Sequence, residues 1–234
     1  MIARFLKGIF NRHPPLPKYV DIWDINKVLD FYKTLPDNKQ LSLKEITQKL
    51  AMLLLILGAR RKQTLLSILI DNIKITDNDM TLIPHEVQKH NKPGKPIKPI
   101  IYKRFRLNTK LCVVGCMSVY LVKRQTLVSQ DIKSLFITYG TPHKPATNDT
   151  ISRWIKNELQ NAGIDTQTFK PHSCRAAATS KAKQIGIPLK EIIKRGSWSS
   201  DSTFKKFYDK DIINSVDEEH DADFVSTILS QVNN

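Results

Sequence analysis

The 234-residue chain is short of cysteine, glycine and acidic residues, and each shortage narrows what it can be. Three cysteines, Cys112, Cys116 and Cys174, cannot build a disulfide framework, and no cleavable leader is read ahead of them. A reducing, intracellular setting is expected. Cys112 and Cys116 stand four apart in an apolar helical stretch and read as core packing. Long hydrophobic runs are missing too: LAMLLLILGA and LCVVGCMSVYLV are too short to cross a bilayer, so no membrane partner is expected. The six histidines do not cluster with cysteines or carboxylates at ligand spacing, so neither a metal nor another cofactor is expected. There is no internal repeat and no low-complexity tract.

What is abundant is positive charge: 37 Lys and Arg against 22 Asp and Glu give a net +15. The distribution is uneven. Seven acids against Lys210 leave residues 209–234 at −6, so residues 1–208 carry +21. Such a field selects a polyanion, nucleic acid before an acidic membrane.

Residues 1–20 combine an amphipathic fragment with a proline cluster that suits neither helix nor central strand. A short helix is predicted from Trp23 to Leu35, then a PDNK turn and a capping box of Ser42 with Glu45. Leu43, Ile46, Leu50, Leu53, Leu54 and Leu57 mark one apolar helical face, closed by Gly58. The period then changes to two. NIKIT and MTLIPHEV read as strands around TDND, and KPIIY as a third. Between the second and third lies QKHNKPGK, and from Lys89 to Arg106 there are seven basic residues and no acid. Asn108 or Thr109 is expected to cap a helix reaching about Gln125, and TISRWIKNELQNAG is expected to form another, ending at Gly163 with Ile151, Trp154, Ile155, Leu159 and Ala162 on its apolar face. A mainly helical α+β domain with one small antiparallel sheet follows from this count.

The rest of the chain is organised around residues 170–208. His172 and Arg175 lie three apart on a predicted helix and so share a face. Gly186 reads as its end and Pro188 as the first position of the next helix, PLKEIIKR, which stops at Gly196. After Trp198, Ser199 or Ser200 can cap a third helix carrying Tyr208. Two tight turns thus gather His, Arg, Trp and Tyr, a set in which Arg and His can hold a phosphate and Tyr can attack it. Taken singly, each has an ordinary structural reading, Tyr208 as a half-buried helix-end residue, Trp198 as core and the arginines as ion-pair partners. Their joint order is what points to chemistry.

That order, PHSCR, RGSW and FKKFY, resembles the catalytic domain of the tyrosine recombinases, which carry His-x-x-Arg, Gly-His/Trp and a nucleophilic Tyr. HSCRAAATSKA and RGSWSSDSTFKKFYDK are similar in flavour to integrases of eukaryotic mobile elements such as DIRS-like retrotransposons and Cryptons, and the likeness extends over roughly residues 40–210. The resemblance implies a tyrosine recombinase fold and six catalytic positions. Arg60, in the corner GAR, would be the first arginine, with Arg61 its competing neighbour. Lys89 in the hairpin turn would be the catalytic lysine, with Lys92 the alternative. His172, Arg175, Trp198 and Tyr208 complete the set. Arg61, Lys92, Lys95, Lys98, Lys103, Arg104 and Arg106 are expected to contact DNA phosphates.

The domain reading is residues 1–20 as linker and tail of a missing or truncated N-terminal DNA-binding domain, 21–212 as the catalytic domain, and 213–234 as an acidic tether with a docking helix around Phe224, Val225, Ile228 and Leu229. Double-stranded DNA and further copies of the chain on that DNA are the implied partners, and the nucleus the implied location. Two departures stand out: Gln63 replaces an acid found in many relatives, and Ser197 separates Gly196 from Trp198. The competing readings are a type IB topoisomerase and a domesticated copy that binds DNA without cutting.

Overall fold

The computed structural model describes residues 19–85, 97–198 and 200–213, together with the isolated residues 4, 5, 8 and 12. Strand β1 (Asp21–Trp23) leads into helix α1 (Asn26–Thr34), so Trp23 lies in a strand and not, as the local pattern predicts, at the start of the helix. Helix α2 (Leu43–Gly58) opens with the expected capping box: Ser42 Oγ accepts from the Glu45 N–H at 3.3 Å while the Glu45 carboxylate accepts from the Ser42 N–H at 2.8 Å. The Ser42 hydroxyl also donates to that carboxylate, at 2.6 Å, and this bond together with the one from the Ser42 N–H holds the Glu45 carboxyl below its usual pKa.

Twelve of the sixteen residues of α2 are buried, including Thr47, Gln48 and Lys49 as well as the predicted Ile46, Leu50, Leu53 and Leu54. Of the other two predicted positions, Leu43 is half-buried and Leu57 is 37% exposed. A helix enclosed on all sides has no single apolar stripe, because helices α4 (Val113–Gln125), α5 (Asn148–Asn161) and α6 (Ser173–Gln184) all pack around it. Between α2 and the sheet runs short helix α3 (Lys62–Leu66).

Strands β2 (Ile68–Ile75), β3 (Asp79–Pro84) and β4 (Ile100–Lys103) form the antiparallel sheet in that order, with Ile75 opposite Met80 and Met80 opposite Tyr102. Met80, Leu82, Ile100 and Tyr102 are buried, so alternation places one face on the core. β2 begins four residues earlier than NIKIT, with an irregular register between Ile68 and Ile73. Asn108 caps a 3₁₀ turn, Thr109–Leu111, and Cys112 rather than Asn108 or Thr109 stands at the start of α4, its Sγ accepting from the Gly115 N–H. Helix α5 ends as expected, with Gly163 at φ +73°.

Helix α6 is followed by Gly186 at φ +83°, α7 (Leu189–Gly196) and α8 (Asp201–Phe207). Pro188 is the residue before α7 and not its first helical position. Strand β5 (Asp211–Ile213) then pairs in parallel with β1, Asp21 opposite Asp211 and Trp23 opposite Ile213. This second, two-stranded sheet joins the two ends of the domain. A Trp23 Nε1–H bond to Ser173 Oγ, 2.8 Å, fastens the same strand to the first turn of α6. The expected tether and docking helix, apart from Ile213, lie outside the described residues, as does most of the expected linker.

Candidate active site

Each side chain of the site is aimed by a local necessity of its own segment. At the end of α2, Ala59 takes the left-handed conformation (φ 50°, ψ 36°), which turns the chain so that Arg60 leaves the helix axis. Gly58 is needed for a different reason. A Cβ there would fall 2.2 Å from the Tyr102 hydroxyl, which donates to the Leu54 carbonyl at 2.8 Å and seats β4 on the helix end. Arg60 Nη1 then donates to Ser197 Oγ at 2.8 Å.

Ser197 is the residue that separates Gly196 from Trp198. It occupies the left-handed position after α7 (φ 56°, ψ 44°), and its hydroxyl ties this turn to the Arg60 corner 137 positions away. Gly196 permits the same turn, since a Cβ on it would lie 1.9 Å from the Trp198 ring. Glycine followed by an intervening residue and Trp is therefore a packing unit, with the indole folded back over the glycine.

Arg175, 4% exposed, projects from α6 into this turn and donates from Nη2 to the Gly196 carbonyl. Its guanidinium carbon lies 4.1 Å from the centroid of the Trp198 ring and 5.0 Å from that of Tyr208, whose own rings are 4.7 Å apart. Tyr208 stands just past the last residue of α8 and is half-buried. Its backbone is held on both sides of the ring: its N–H donates to Phe204 O at 2.8 Å, and its carbonyl accepts from Ser180 Oγ at 2.9 Å. Ser180 Oγ also accepts from the Lys210 N–H at 3.0 Å.

Arg60, Arg175, Trp198 and Tyr208 are thus assembled through direct contacts and through Gly196 and Ser197. His172 precedes α6 and is exposed, with its Nε2 3.0 Å from the Tyr19 hydroxyl. Lys89, Lys92 and Lys95 fall outside the described residues. Of the other expected DNA contacts, Lys98 is exposed, Arg61 is half-buried, and the remaining three are partly engaged within the fold. Lys103 pairs with Asp79 at 2.8 Å, Arg104 donates to the carbonyls of Asp77 and Thr76, and Arg106 donates to Asp77 O and Asn78 Oδ1. These cations stiffen the β2–β3 turn while keeping exposed surface.

The electrostatics of the cluster are those of buried cations set close together. Burial lowers the pKa of the Arg175 guanidinium, and the charges of Arg61 and Arg60 push it further down. Burial also lowers that of Arg60, with Arg195 adding to the effect. Among the described residues, the buried side-chain polar atoms without a hydrogen-bond partner are Arg60 Nε, Arg175 Nε and Trp198 Nε1. All three are donors, and all three belong to this cluster. Buried donors are nearly always satisfied in folded proteins, so three together call for an acceptor such as a phosphate oxygen. No group of His, Cys, Asp or Glu that could hold a metal ion occurs among the described residues.

Two contributors were not foreseen. Arg195 donates to Ile101 O at 2.8 Å and to Leu57 O at 3.0 Å, clamping α7 to β4 and to the end of α2. Ser180 secures the Tyr208 segment. Both act on backbone carbonyls brought close only by folding, so nothing in the local pattern marks them.

The sequence profile of the phage integrase family matches residues 21–212, and the chain belongs to that family. No curated protein sequence matches it. In fold it is similar to XerA recombinase, with TM-score 0.61 and 15% identity over 89% of this chain and 65% of that one. It is likewise similar to the XerH site-specific recombinase in a pre-cleavage complex with difH substrate, with TM-score 0.60 and 13% identity over 81% of this chain and 49% of that one. The Tn1549 transposon integrase in complex with circular intermediate DNA gives TM-score 0.56 and 13% identity over 90% and 66%. The chain spans less than two thirds of the length of each. The mainly helical domain with its small antiparallel sheet is the tyrosine recombinase catalytic-domain fold.

Proposed function

We propose that this chain is a site-specific DNA recombinase or integrase of a eukaryotic mobile element, acting in the nucleus as a homo-oligomer on double-stranded DNA. The observation that carries the reading is the trio of buried donors without acceptors, Arg60 Nε, Arg175 Nε and Trp198 Nε1, beside the ring of Tyr208. A scissile phosphodiester supplies the missing acceptors. The Tyr208 oxygen attacks phosphorus, the bond to the 5′ oxygen breaks, and a 3′-phosphotyrosyl link forms. Arg60 and Arg175 neutralise the charge that develops on the non-bridging oxygens, with Trp198 adding one N–H. His172 assists transfer of the phenol proton or orients the phosphate, and Lys89, with Lys92 the alternative, protonates the departing 5′ oxygen. Attack by another 5′ hydroxyl reverses these steps and rejoins the strand. The bond energy is kept in the phosphotyrosyl link, so the cycle needs neither ATP nor metal.

Support for the mobile-element origin is the flavour of the motifs around His172 and Tyr208. A reverse transcriptase reading frame beside the gene would select the retrotransposon class. Assembly on DNA is assigned to the apolar stripe near Phe224, which docks on a neighbouring copy. Deleting residues 217–234 is expected to leave a DNA-binding monomer by light scattering, and an unchanged assembly state would remove the docking role. The reaction itself is tested on a nicked suicide duplex. The wild-type chain should form a covalent adduct, whereas Tyr208→Phe should bind the duplex and form none. A mobility shift without adduct in the wild type would favour the DNA-binding, non-cutting reading.

A further inference from the structure

Among the described residues, the non-glycine residues with positive φ are Ala59 (φ 50°) and Ser197 (φ 56°). They stand at the two ends of one contact: Ala59 precedes Arg60, and Arg60 Nη1 donates to Ser197 Oγ at 2.8 Å. A left-handed backbone disfavours any side chain and is usually given to glycine, so each position calls for a reason. Ala59 has one, since it turns Arg60 off the helix axis. At Ser197 the turn alone would be better made by glycine.

That turn is fixed without the serine side chain. The Ser197 N–H donates to Lys194 O at 3.2 Å and the Trp198 N–H to Ile193 O at 3.1 Å, closing the end of α7. Arg195 clamps that end to Leu57 O and Ile101 O, and the Gly196 carbonyl accepts from Arg175 Nη2. What the hydroxyl adds is an anchored acceptor beside a guanidinium. The polarity of the contact is unambiguous, because arginine only donates. Held at Nη1, the planar guanidinium can no longer turn freely on its stem, and the edge that carries Nε, buried and without a partner, keeps one direction.

We propose that Ser197 is a positioning residue for Arg60: its hydroxyl, brought into the cluster by the left-handed backbone, takes one hydrogen of Nη1 and sets the plane of the guanidinium, so that the Nε edge is presented to the scissile phosphate. The phosphate half of this statement rests on the recombinase function proposed above. The orientation half does not. The two arginines are thereby hooked on consecutive residues of one turn, Arg175 on the Gly196 carbonyl and Arg60 on the Ser197 hydroxyl, each by a terminal nitrogen. Donors held in place before charge develops are what electrostatic stabilisation of a transition state requires. The residue that separates Gly196 from Trp198 therefore aligns the first arginine with the second.

The test uses the full chain and two substitutions. Ser197→Gly suits the left-handed backbone and removes the hydroxyl, whereas Ser197→Ala removes the hydroxyl and keeps the backbone penalty, so Ser197→Gly should melt above Ser197→Ala. Both should bind the duplex as the wild type does, and both should form adduct on the suicide duplex roughly ten- to a hundredfold more slowly, the scale of a misplaced reacting group. Nitrogen-15 relaxation of the Arg60 Nε–H should report a rigid guanidinium in the wild type and a mobile one in both variants. In an Arg60→Ala background neither change should slow the residual rate further. Wild-type cleavage by Ser197→Gly would overturn the proposal and reduce Ser197 to a turn residue, as would an equally rigid Arg60 in the variants or a further loss in the Arg60→Ala background. Failure of the wild type to form any adduct would instead count against the recombinase function, and the relaxation measurement would still decide whether Ser197 orients Arg60.

Discussion

Arg124 and Arg175 are both nearly inaccessible arginines on helices, 3% and 4% exposed, and the fold treats them in opposite ways. Arg124 donates from Nε to Leu135 O at 3.1 Å and from Nη2 to the carbonyls of Ser134 and Ile132, so one side chain satisfies a whole extended segment. Arg175 makes one bond to Gly196 O, leaves Nε without a partner, and has Arg60 and Arg61 among its electrostatic neighbours. One cation closes a loop; the other is kept short of acceptors among like charges. Folding gains less from the second arrangement, which makes sense where a ligand completes it.

The largest effects should come from exchanging the two roles. Arg175→Ala, and likewise Arg60→Ala, should slow adduct formation by about a hundredfold or more, the loss expected from removing one donor to a charged transition state, while leaving thermal unfolding little changed. Arg124→Ala should do the reverse. It strips the donors from buried carbonyls and is expected to destabilise the domain by roughly 3 kcal/mol, with each molecule that remains folded cleaving normally. Denaturation midpoints and single-turnover cleavage, measured on all three variants, would erase the contrast if Arg175→Ala unfolded as readily as Arg124→Ala.

A second large effect concerns where the nucleophile comes from. Tyr208 lies over the guanidinium of Arg175 in its own chain, and Ser180 of the same chain holds its backbone. Cleavage should therefore occur in cis. Mixing Tyr208→Phe with Arg175→Ala protein should restore no adduct, whereas recovery of adduct in the mixture would mean that a neighbour donates the tyrosine.

A smaller effect reads the unpartnered donors directly. Inorganic phosphate at about ten times its dissociation constant should stabilise the wild type by about 1.4 kcal/mol, a rise of a few degrees in Tm for a domain of this size. Chloride at matched ionic strength should not reproduce it. The shift should vanish in Arg60→Ala and Arg175→Ala and persist in Lys103→Ala, whose cation already pairs with Asp79. An equal shift in all the variants would attribute it to the general surface charge.

Which parts of this site could be read in the sequence follows from the range of the interactions. Arg175, Gly196, Trp198 and Tyr208 lie within 34 residues, joined by turns whose chemistry is local, and their convergence was legible. The small antiparallel sheet was legible too, because its alternation is local. Pairing of β1 with β5 was not, since each strand is three residues long and its partner is about 190 residues away. Ser197 looked like an irregularity in the motif, because its bond to Arg60 spans 137 positions. Tyr19 and Arg195 resemble ordinary linker and helix-end residues until folding brings His172 and the Leu57 carbonyl to them. The helical period of α2 located a buried face but could not show that the opposite face, with Lys49, is buried as well.

Lys49 supplies the smallest and most discriminating test, because it is a buried cation with partners on the core side of the comparison. It is 0% exposed, donates to Asn38 Oδ1 at 2.9 Å, and lies 5.2 Å from the Tyr32 ring centroid. The Tyr32 hydroxyl in turn donates to Glu158 Oε2 at 2.5 Å. Burial lowers the Lys49 pKa, with the charges of Cys116 and Glu158 opposing, and burial raises that of Glu158. Replacing a satisfied buried ion by an apolar side chain of similar shape removes both its desolvation penalty and its contacts, so Lys49→Met should change stability by no more than about 1 kcal/mol at neutral pH. The pH dependence gives the sign. Between the lowered folded pKa and the ordinary lysine value of 10.5, the unfolded chain binds the proton more readily than the folded one, so this lysine makes stability rise with pH across that window. Wild type should therefore gain on Lys49→Met as pH is raised toward 10, in paired melting curves that cancel the titration of every other group. A stability difference independent of pH over that window would mean that burial does not penalise the Lys49 charge.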